Sequence, residues 1–471
     1  MARRTAPLLD CWVSASGFRE EEAVSWRTRP HSCARTWATS ILVVGTAATM
    51  PLAPPASAEP VPGDTTALVS DEPPLLAAGS STAPSVSADG SRVAFVGRAA
   101  KGSDDPGLGR RQVYLWDART DRVSLVSHAA GSSRPAGCFS TWPDISADGR
   151  FVAFSSCATD LGAPGTVPAD RQRPNVYLLD TRTGRTSLVS RATSAPGPGG
   201  DGFSIDPVLS PHGRYVAFAS QADNLVPGTL PFNSDVFLYD RSTRTTSLVS
   251  TGRSGERADS ISAEPDLVRG ARLIVWTSFA DNVTAHPDVD DGLDPDVFVT
   301  RRSTGHTRLV SRTPTGDGYN REPAVSASGS HVVYTSNAAL VPRDTNGTRD
   351  VYAHDLADGR TRLVSAPAGG SADNFSTTPA VSASGRFVAF QSWASNLGGG
   401  VVQGEDVFRR DMRTGQVGYV SHGADGADGN GPSQRASMSA RGDTIVYDSA
   451  ATNLHPDDTD PRFDVLQWRA P

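Results

Sequence analysis

Lysine is almost absent from this chain of 471 residues: Lys101 stands alone, and the other 43 of the 44 basic residues are arginine. Cysteine is nearly as scarce. Four in so long a chain, at Cys11, Cys33, Cys138 and Cys157, cannot make a disulfide-dense scaffold, so a hydrophobic core must carry the fold. The arginines are scattered and outnumbered by 51 acids, which leaves no clustered basic face for nucleic acid. Catalytic signatures are missing as well. The nine histidines form no HxH or HExxH pair, and His128 and His422, at equivalent places after a repeated LVS or YVS, belong to different repeats. No serine sits in G-x-S-x-G, and glycine-rich text such as SAPGPGGDG lacks the strand-to-helix context of a phosphate loop.

What is present is repetition. The letters LVS occur at 68–70, 125–127, 188–190, 248–250, 309–311 and 363–365, with YVS at 419–421. The six later copies close units anchored at Pro84, Pro143, Pro207, Pro265, Pro323 and Pro379, and a seventh, degenerate unit is anchored at Ala436, the anchors lying at intervals of 59, 64, 58, 58, 56 and 57 residues. A unit reads as a PxVS segment, a turn such as SADG, a strand such as RFVAFSS, a loop, a strand such as DVFLYD, a turn, and LVS. These β-branched and aromatic runs are too short for helices and are bounded by Gly, Asp and Ser, so each unit holds four short strands. Within the second strand bulky residues flank a small one, as Val152 and Phe154 flank Ala153. Seven four-stranded antiparallel units predict an all-β fold, a seven-bladed β-propeller. The last unit stops at Pro471 without its LVS, and the orphan Leu68-Val69-Ser70 is expected to supply that outer strand and close the ring, removing two exposed sheet edges.

The text P-x-x-S-x-D-G-R-x-V-A-F-x-S, then D-V-F-x-x-D, then L-V-S resembles the WD40-like (PD40) repeats of TolB-type β-propellers over about residues 66–468. The resemblance implies the propeller and leaves function open, since such rings serve both as binding platforms and as parts of enzymes. The α/β domain that precedes the propeller in TolB has no counterpart between the export signal and the first strand, so a Tol–Pal role is not carried over.

Residues 36–58 carry no charge, follow Arg27, Arg29 and Arg35, and end in Ala56-Ser57-Ala58, the order of a secretory signal cleaved after Ala58. An uncleaved anchor and a chance likeness are the alternatives; Pro51, Pro54 and Pro55 make a poor membrane span. Residues 1–23, with GFREEEA, are foreign to such a signal and point to a start further downstream. The expected division is a signal region over 1–58 and a propeller over 59–471, with 38 basic and 47 acidic residues left after cleavage. An extracytoplasmic location follows. It favours a disulfide between Cys138 and Cys157, which flank the hairpin around Ser146-Ala147-Asp148-Gly149-Arg150; if Ser146 pairs with Phe151, partners sum to 297, and the cysteines sum to 295. Two separate thiols are the alternative.

The turns SADG and RTG should share one face, and the long variable loops the other, where binding is expected. SADGR lacks the tryptophan of a sialidase aspartate box and reads as a tight hairpin turn. Two acidic loops have oxygen-bearing residues at positions 1, 3 and 7 that could gather Ca²⁺: Asp344, Asn346 and Asp350, and Asp458, Asp460 and Asp464, with a partial echo in Asp290, Gly292 and Asp296. The competing view makes Asp350 and its equivalents side chain-to-backbone turn formers. No other cofactor is expected. The functional expectation is a monomeric, noncatalytic scaffold binding an extracellular or envelope protein or a glycan through its long-loop face. The alternatives are a polysaccharide lyase or glycoside hydrolase with carboxylates from different blades in the central channel, and a purely structural interaction module. Converging carboxylates would favour the enzyme; an aromatic loop face would favour a protein or glycan partner.

Overall fold

In the computed structural model, the residues described are 63–70, 80–98, 111–162, 173–193, 199–227, 233–284, 294–313, 318–367, 369–398 and 404–471. Residues 1–58, with the export signal and its cleavage site, lie outside them, as do Asp290 and Gly292. No described helix is long and apolar enough to cross a membrane.

The described residues form seven four-stranded antiparallel sheets, and in six of them the strands follow sequence order. Blade 2 shows the plan: an inner strand Ser140–Ile145, a second Phe151–Ser156, a third Asn175–Asp180 and an outer Arg185–Leu188. The remaining inner strands, Thr82–Val86, Ser204–Leu209, Ser262–Leu267, Asn320–Val325, Ser376–Val381 and Ser433–Met438, touch those of the neighbouring blades around a central channel. Blade 7 takes Thr65–Leu68 as its outer strand, antiparallel to Asp464–Arg469 with Leu68 opposite Leu466, so the ring closes with the N-terminal segment.

The alternation of bulky and small residues explains how blades stack. Val152 and Phe154 pack against Ala94 of blade 1, while Ala153 on the opposite face receives Val216 and Phe218 of blade 3. Seven such clusters, one at each junction, make a continuous core. The small face lets the next blade approach, and the bulky face fills the gap.

The LVS repeat works as a lock. Its serine hydroxyl accepts the N–H of the second residue of the third strand and donates to the side chain of the first: Ser250 to Asp235 at 2.9 Å, Ser311 to Asp296 at 2.7 Å, Ser365 to Asp350 at 2.5 Å. Ser127 and Ser190 find amide oxygens of Gln112 and Asn175, and Ser421 finds Asp406. The orphan copy behaves alike, Ser70 donating to Asp464 at 2.7 Å and accepting the Val465 N–H at 2.9 Å. Asp350 and its equivalents therefore pair with a serine side chain across the strand, where a local side chain-to-backbone turn was the competing expectation. Closure also uses Asp64, which accepts from Trp468 Nε1 at 2.6 Å and lies 2.9 Å from His422 Nε2 of blade 6.

The short turns need glycine for two reasons. Gly213 has φ of +62°, and a Cβ there would come within 2.4 Å of the Phe151 ring on the preceding blade. That ring lies between the guanidinium groups of Arg150 and Arg241.

Candidate functional site at the channel mouth

Each inner strand carries a bulge at the residue before its proline, or before Ala436 in blade 7. That residue has positive φ in all seven blades: Ala83, Trp142, Asp206, Glu264, Glu322, Thr378 and Arg435, between +47° and +56°. Side chains rarely adopt this conformation, and pre-proline residues avoid it further, so the packed ring must impose it. The effect is to leave this residue and the one after the proline part-exposed while the proline between them is buried. Two rings of side chains thus line the channel. The second ring is Ser85, Asp144, Val208, Asp266, Ala324, Ala380 and Ser437.

Both rings stitch blades together. Asp144 accepts the Leu209 N–H at 2.6 Å and the Ser85 hydroxyl at 2.8 Å; Asp266 accepts the Val325 N–H at 2.7 Å. At the bulges, Glu264 accepts the Glu322 N–H at 2.9 Å, and Glu322 accepts the Thr378 N–H at 2.8 Å. Each glutamate also accepts a hydroxyl from its own second strand, Thr277 at 3.1 Å and Thr335 at 3.3 Å. Glu264 is further paired with Arg321.

Asp206 stands at the same bulge one blade earlier. It is a methylene shorter, and its second strand offers Ala219 where Thr277 and Thr335 stand in the next two blades. It makes neither stitch. Burial, reinforced by the negative charges of Glu264 and Asp144, pushes its carboxyl up to about 7. Burial also pushes Asp266 up to about 7 and Asp144 to about 6, and it raises Glu322, with the Glu264 charge adding to the last. Carboxylates of blades 2 to 5 are thus gathered within electrostatic reach of one another. Across the ring, Arg435 lies 3.5 Å from Asp448 of its own blade.

The rim of the channel on the long-loop face is aromatic. Phe139, Phe203, Tyr319 and Phe375 each immediately precede an inner strand, and the Trp393 backbone N–H donates to the Phe375 carbonyl. Phe139, Phe203, Phe375 and Trp393, at 38, 41, 37 and 39 % exposure, are the exposed large hydrophobic residues among those described. The Phe375 and Trp393 rings lie 5.5 Å apart. Tyr319 is flanked by Arg321 and Arg349, at 5.7 and 5.5 Å from its ring centre. The sequence reading named neither set of residues, although Phe139, Phe203, Tyr319 and Phe375 share one column of the aligned repeat and the carboxylates share two, before and after the proline. A separate cleft between blades 4 and 5, lined by Arg272, Arg301, His306 and Arg308, opens among the short turns and is remote from this constellation.

The structure bridges Cys138 and Cys157, with Cα atoms 5.4 Å apart at the open end of the blade 2 hairpin, directly behind Phe139. The bulge accounts for part of the register difference: Ile145 opposes Val152, whereas beyond Trp142 Ser140 opposes Ser156, one residue displaced. In the loop before the third strand of blade 5, Asn346 Nδ2 donates to Asp350 at 2.6 Å, while Asp344 accepts the Tyr352 hydroxyl. In blade 7, Asp464 is taken by Ser70 and Asp460 accepts the Arg462 N–H at 3.0 Å, while Asp458 is buried nearby. Asp296 is engaged by Ser311. Among the described residues no three of His, Cys, Asp or Glu are grouped so as to hold a metal between them. His128 and His422 point back to the carbonyls of Ala129 and Gly423.

No family model matches the chain, and no curated protein matches it. Solved structures do. An oligogalacturonate lyase in complex with manganese superposes with a TM-score of 0.54 at 12 % identity, covering 89 % of this chain and 95 % of that one. An oligogalacturonate lyase from Vibrio parahaemolyticus gives 0.51 at 11 % identity, covering 88 and 96 %. TolB from Acinetobacter baumannii gives 0.39 at 15 % identity, covering 79 and 78 %, too loose a superposition to carry an argument. At such identities the likeness is one of fold, and it places this chain among β-propellers of the same overall extent as the lyases.

Proposed function

We propose that this chain is an extracytoplasmic β-propeller that binds a carbohydrate chain across the channel mouth of its long-loop face. The observation that carries the reading is the position of the exposed large apolar side chains: Phe139, Phe203, Phe375 and Trp393 all stand on one rim. Exposed aromatic clusters mark interaction sites, and flat rings suit the C–H faces of sugars. Carboxylates and Arg349 just below would take the hydroxyl and acidic groups of such a ligand. The disulfide behind Phe139 supports both an oxidising compartment and a preorganised rim. Saccharide action by the two lyases of the same fold is in keeping with this reading.

Titration of purified protein with a panel of neutral and acidic oligosaccharides, followed by tryptophan fluorescence, tests it. Phe375→Ala with Trp393→Ala should weaken binding by about tenfold or more, since stacked aromatic contacts carry a large share of such affinity. An unresponsive wild type, or a double variant with unchanged affinity, would refute the reading.

A second reading, cleavage of the bound chain, is favoured by Asp206 alone. A part-exposed carboxyl poised near 7, beside a glutamate held by an arginine, is suited to proton transfer. It predicts new chain ends from a bound saccharide and their loss in Asp206→Asn. Binding without product would leave the carbohydrate-binding reading standing by itself.

A further inference from the structure

We propose that the loop Asp344–Asp350 of blade 5 is a Ca²⁺ site. Asp344 is 6 % exposed, and its Oδ1 is buried without a hydrogen-bond partner, while Oδ2 accepts the Tyr352 hydroxyl. A buried carboxylate oxygen left unpaired is costly. The hydroxyl of Thr348, four residues on, is also buried and unpaired. Asp350, fully buried, keeps one oxygen on Ser365 and the other on Asn346. The neighbouring Arg343 is turned away onto the Gly370 and Pro367 carbonyls.

The Asn346 amide occupies the centre of this arrangement. Its Nδ2 donates to Asp350 Oδ2 at 2.6 Å and to the Ala372 carbonyl at 2.8 Å. Two oxygens thus converge on one donor, the kind of position a hard cation fills. With Ca²⁺ there, Asp350 Oδ2 and the Ala372 carbonyl are already aimed at the ion, the same loop offers the unpaired Asp344 Oδ1 and Thr348 hydroxyl, and Asn346 Oδ1, which now accepts the Thr348 N–H at 2.8 Å, joins them when the amide turns. Two carboxylates and neutral oxygens suit Ca²⁺ at the weak affinity of extracellular modules, about 10⁻⁴ to 10⁻³ M.

The loop has a counterpart. LVPRDTNGTRD (340–350) aligns without gaps on LHPDDTDPRFD (454–464), and Asp458, in the place of Asp344, likewise has a buried, unpaired oxygen. There, however, Asp464 is spent on the closing Ser70, and Asp460 lies 3.7 Å from Arg462. In blade 3 the corresponding stretch LVPGTLPFNSD (225–235) has the same length, with Thr229 and Pro231 in place of Asp344 and Asn346, so the residues are not required by the blade itself.

Calorimetric titration of EDTA-stripped protein with CaCl₂ should show binding in this range, with a rise in Tm at 5 mM. Asp344→Asn, which keeps the shape, should weaken binding at least tenfold while melting in EDTA like the wild type. Asp458→Asn should retain the blade 5 site. The proposal is overturned if the wild type shows neither heat nor a Tm shift at 5 mM, if an equal shift appears with Mg²⁺ at matched ionic strength, or if Asp344→Asn binds as the wild type does. Loss of all binding in Asp458→Asn alone would also overturn it by moving the site to blade 7.

Discussion

The outer seams and the channel bulges are built by the same repeat, and they tolerate change differently. At the seams every blade keeps the serine, and its partner is always an Asp, Asn or Gln oxygen. At the bulges the backbone is conserved in all seven blades, with positive φ throughout, while the side chain passes through Ala, Trp, Asp, Glu, Glu, Thr and Arg. A seam side chain is wedged between two strands, where one geometry satisfies the buried groups. A bulge side chain projects into the channel, where packing demands little, so chemistry can vary. The departures from repetition are therefore where function is to be sought.

The largest effect that would break this comparison comes from removing one seam altogether. A chain beginning at Pro73 loses Thr65–Leu68, Ser70 and Asp64, and should melt on the order of 10 °C below one beginning at Glu59, or lose cooperative melting. Equal melting curves would show that the ring does not depend on its closing strand. Next in size is the disulfide. Replacing both Cys138 and Cys157 by Ser should cost about 3 kcal/mol in chemical denaturation by the chain-entropy argument for a loop of about 20 residues. Mass spectrometry without reductant should find no free thiol at these positions in protein recovered outside the cell.

A single seam serine should matter less but measurably. Ser250→Ala strands the buried Asp235 oxygen and the Val236 N–H, for an expected loss of about 1–3 kcal/mol. The bulge counterpart, Asp206→Asn, should be neutral or stabilising at pH 8, because it removes a charge that burial and its neighbours oppose. If both substitutions cost the same, the contrast between seam and bulge fails.

The smallest expected effect is the pH dependence. Asp206, Asp266 and Asp144 hold protons up to about 7, 7 and 6 in the folded chain and to about 4 when unfolded. Folding then binds protons between those limits, so this contribution favours the folded state below about pH 4 and is lost as pH rises through 6 to 7. Asp411 runs the other way: its hydrogen bonds to Arg386 lower it to about 2, and that contribution is lost only as pH falls toward 2. Thermal melting should accordingly be highest near pH 4 to 5 and fall by pH 8, with a shallower fall in Asp206→Asn. A Tm that climbs steadily from pH 5 to 8 would contradict the channel assignment.

The propeller was legible because its signals are local and repeated: four β-rich runs per unit, turns between them, and a missing outer strand that matched an orphan one. The disulfide was legible for the same reason, as both cysteines belong to one hairpin. Asp64 and its contacts with His422 and Trp468 were not, since nothing in a single aspartate announces partners 358 and 404 residues away. The carboxylates were also missed. Asp144, Asp206, Glu264, Asp266 and Glu322 are spread over 179 positions of sequence, and no linear motif joins them.

By itself, then, the sequence determined blade number, strand order, the closing segment and the cysteine pairing, because periodic burial and local hydrogen bonding leave few alternatives for such a repeat. Only the tertiary structure decided which columns of the repeat face the channel, how the bulge turns the residue before each proline inward, and that Asp206 lacks the stitches that Glu264 and Glu322 make. Those properties depend on neighbours from adjacent blades, whose side chains set distance, burial and charge at each position, and that information exists only once the ring is closed.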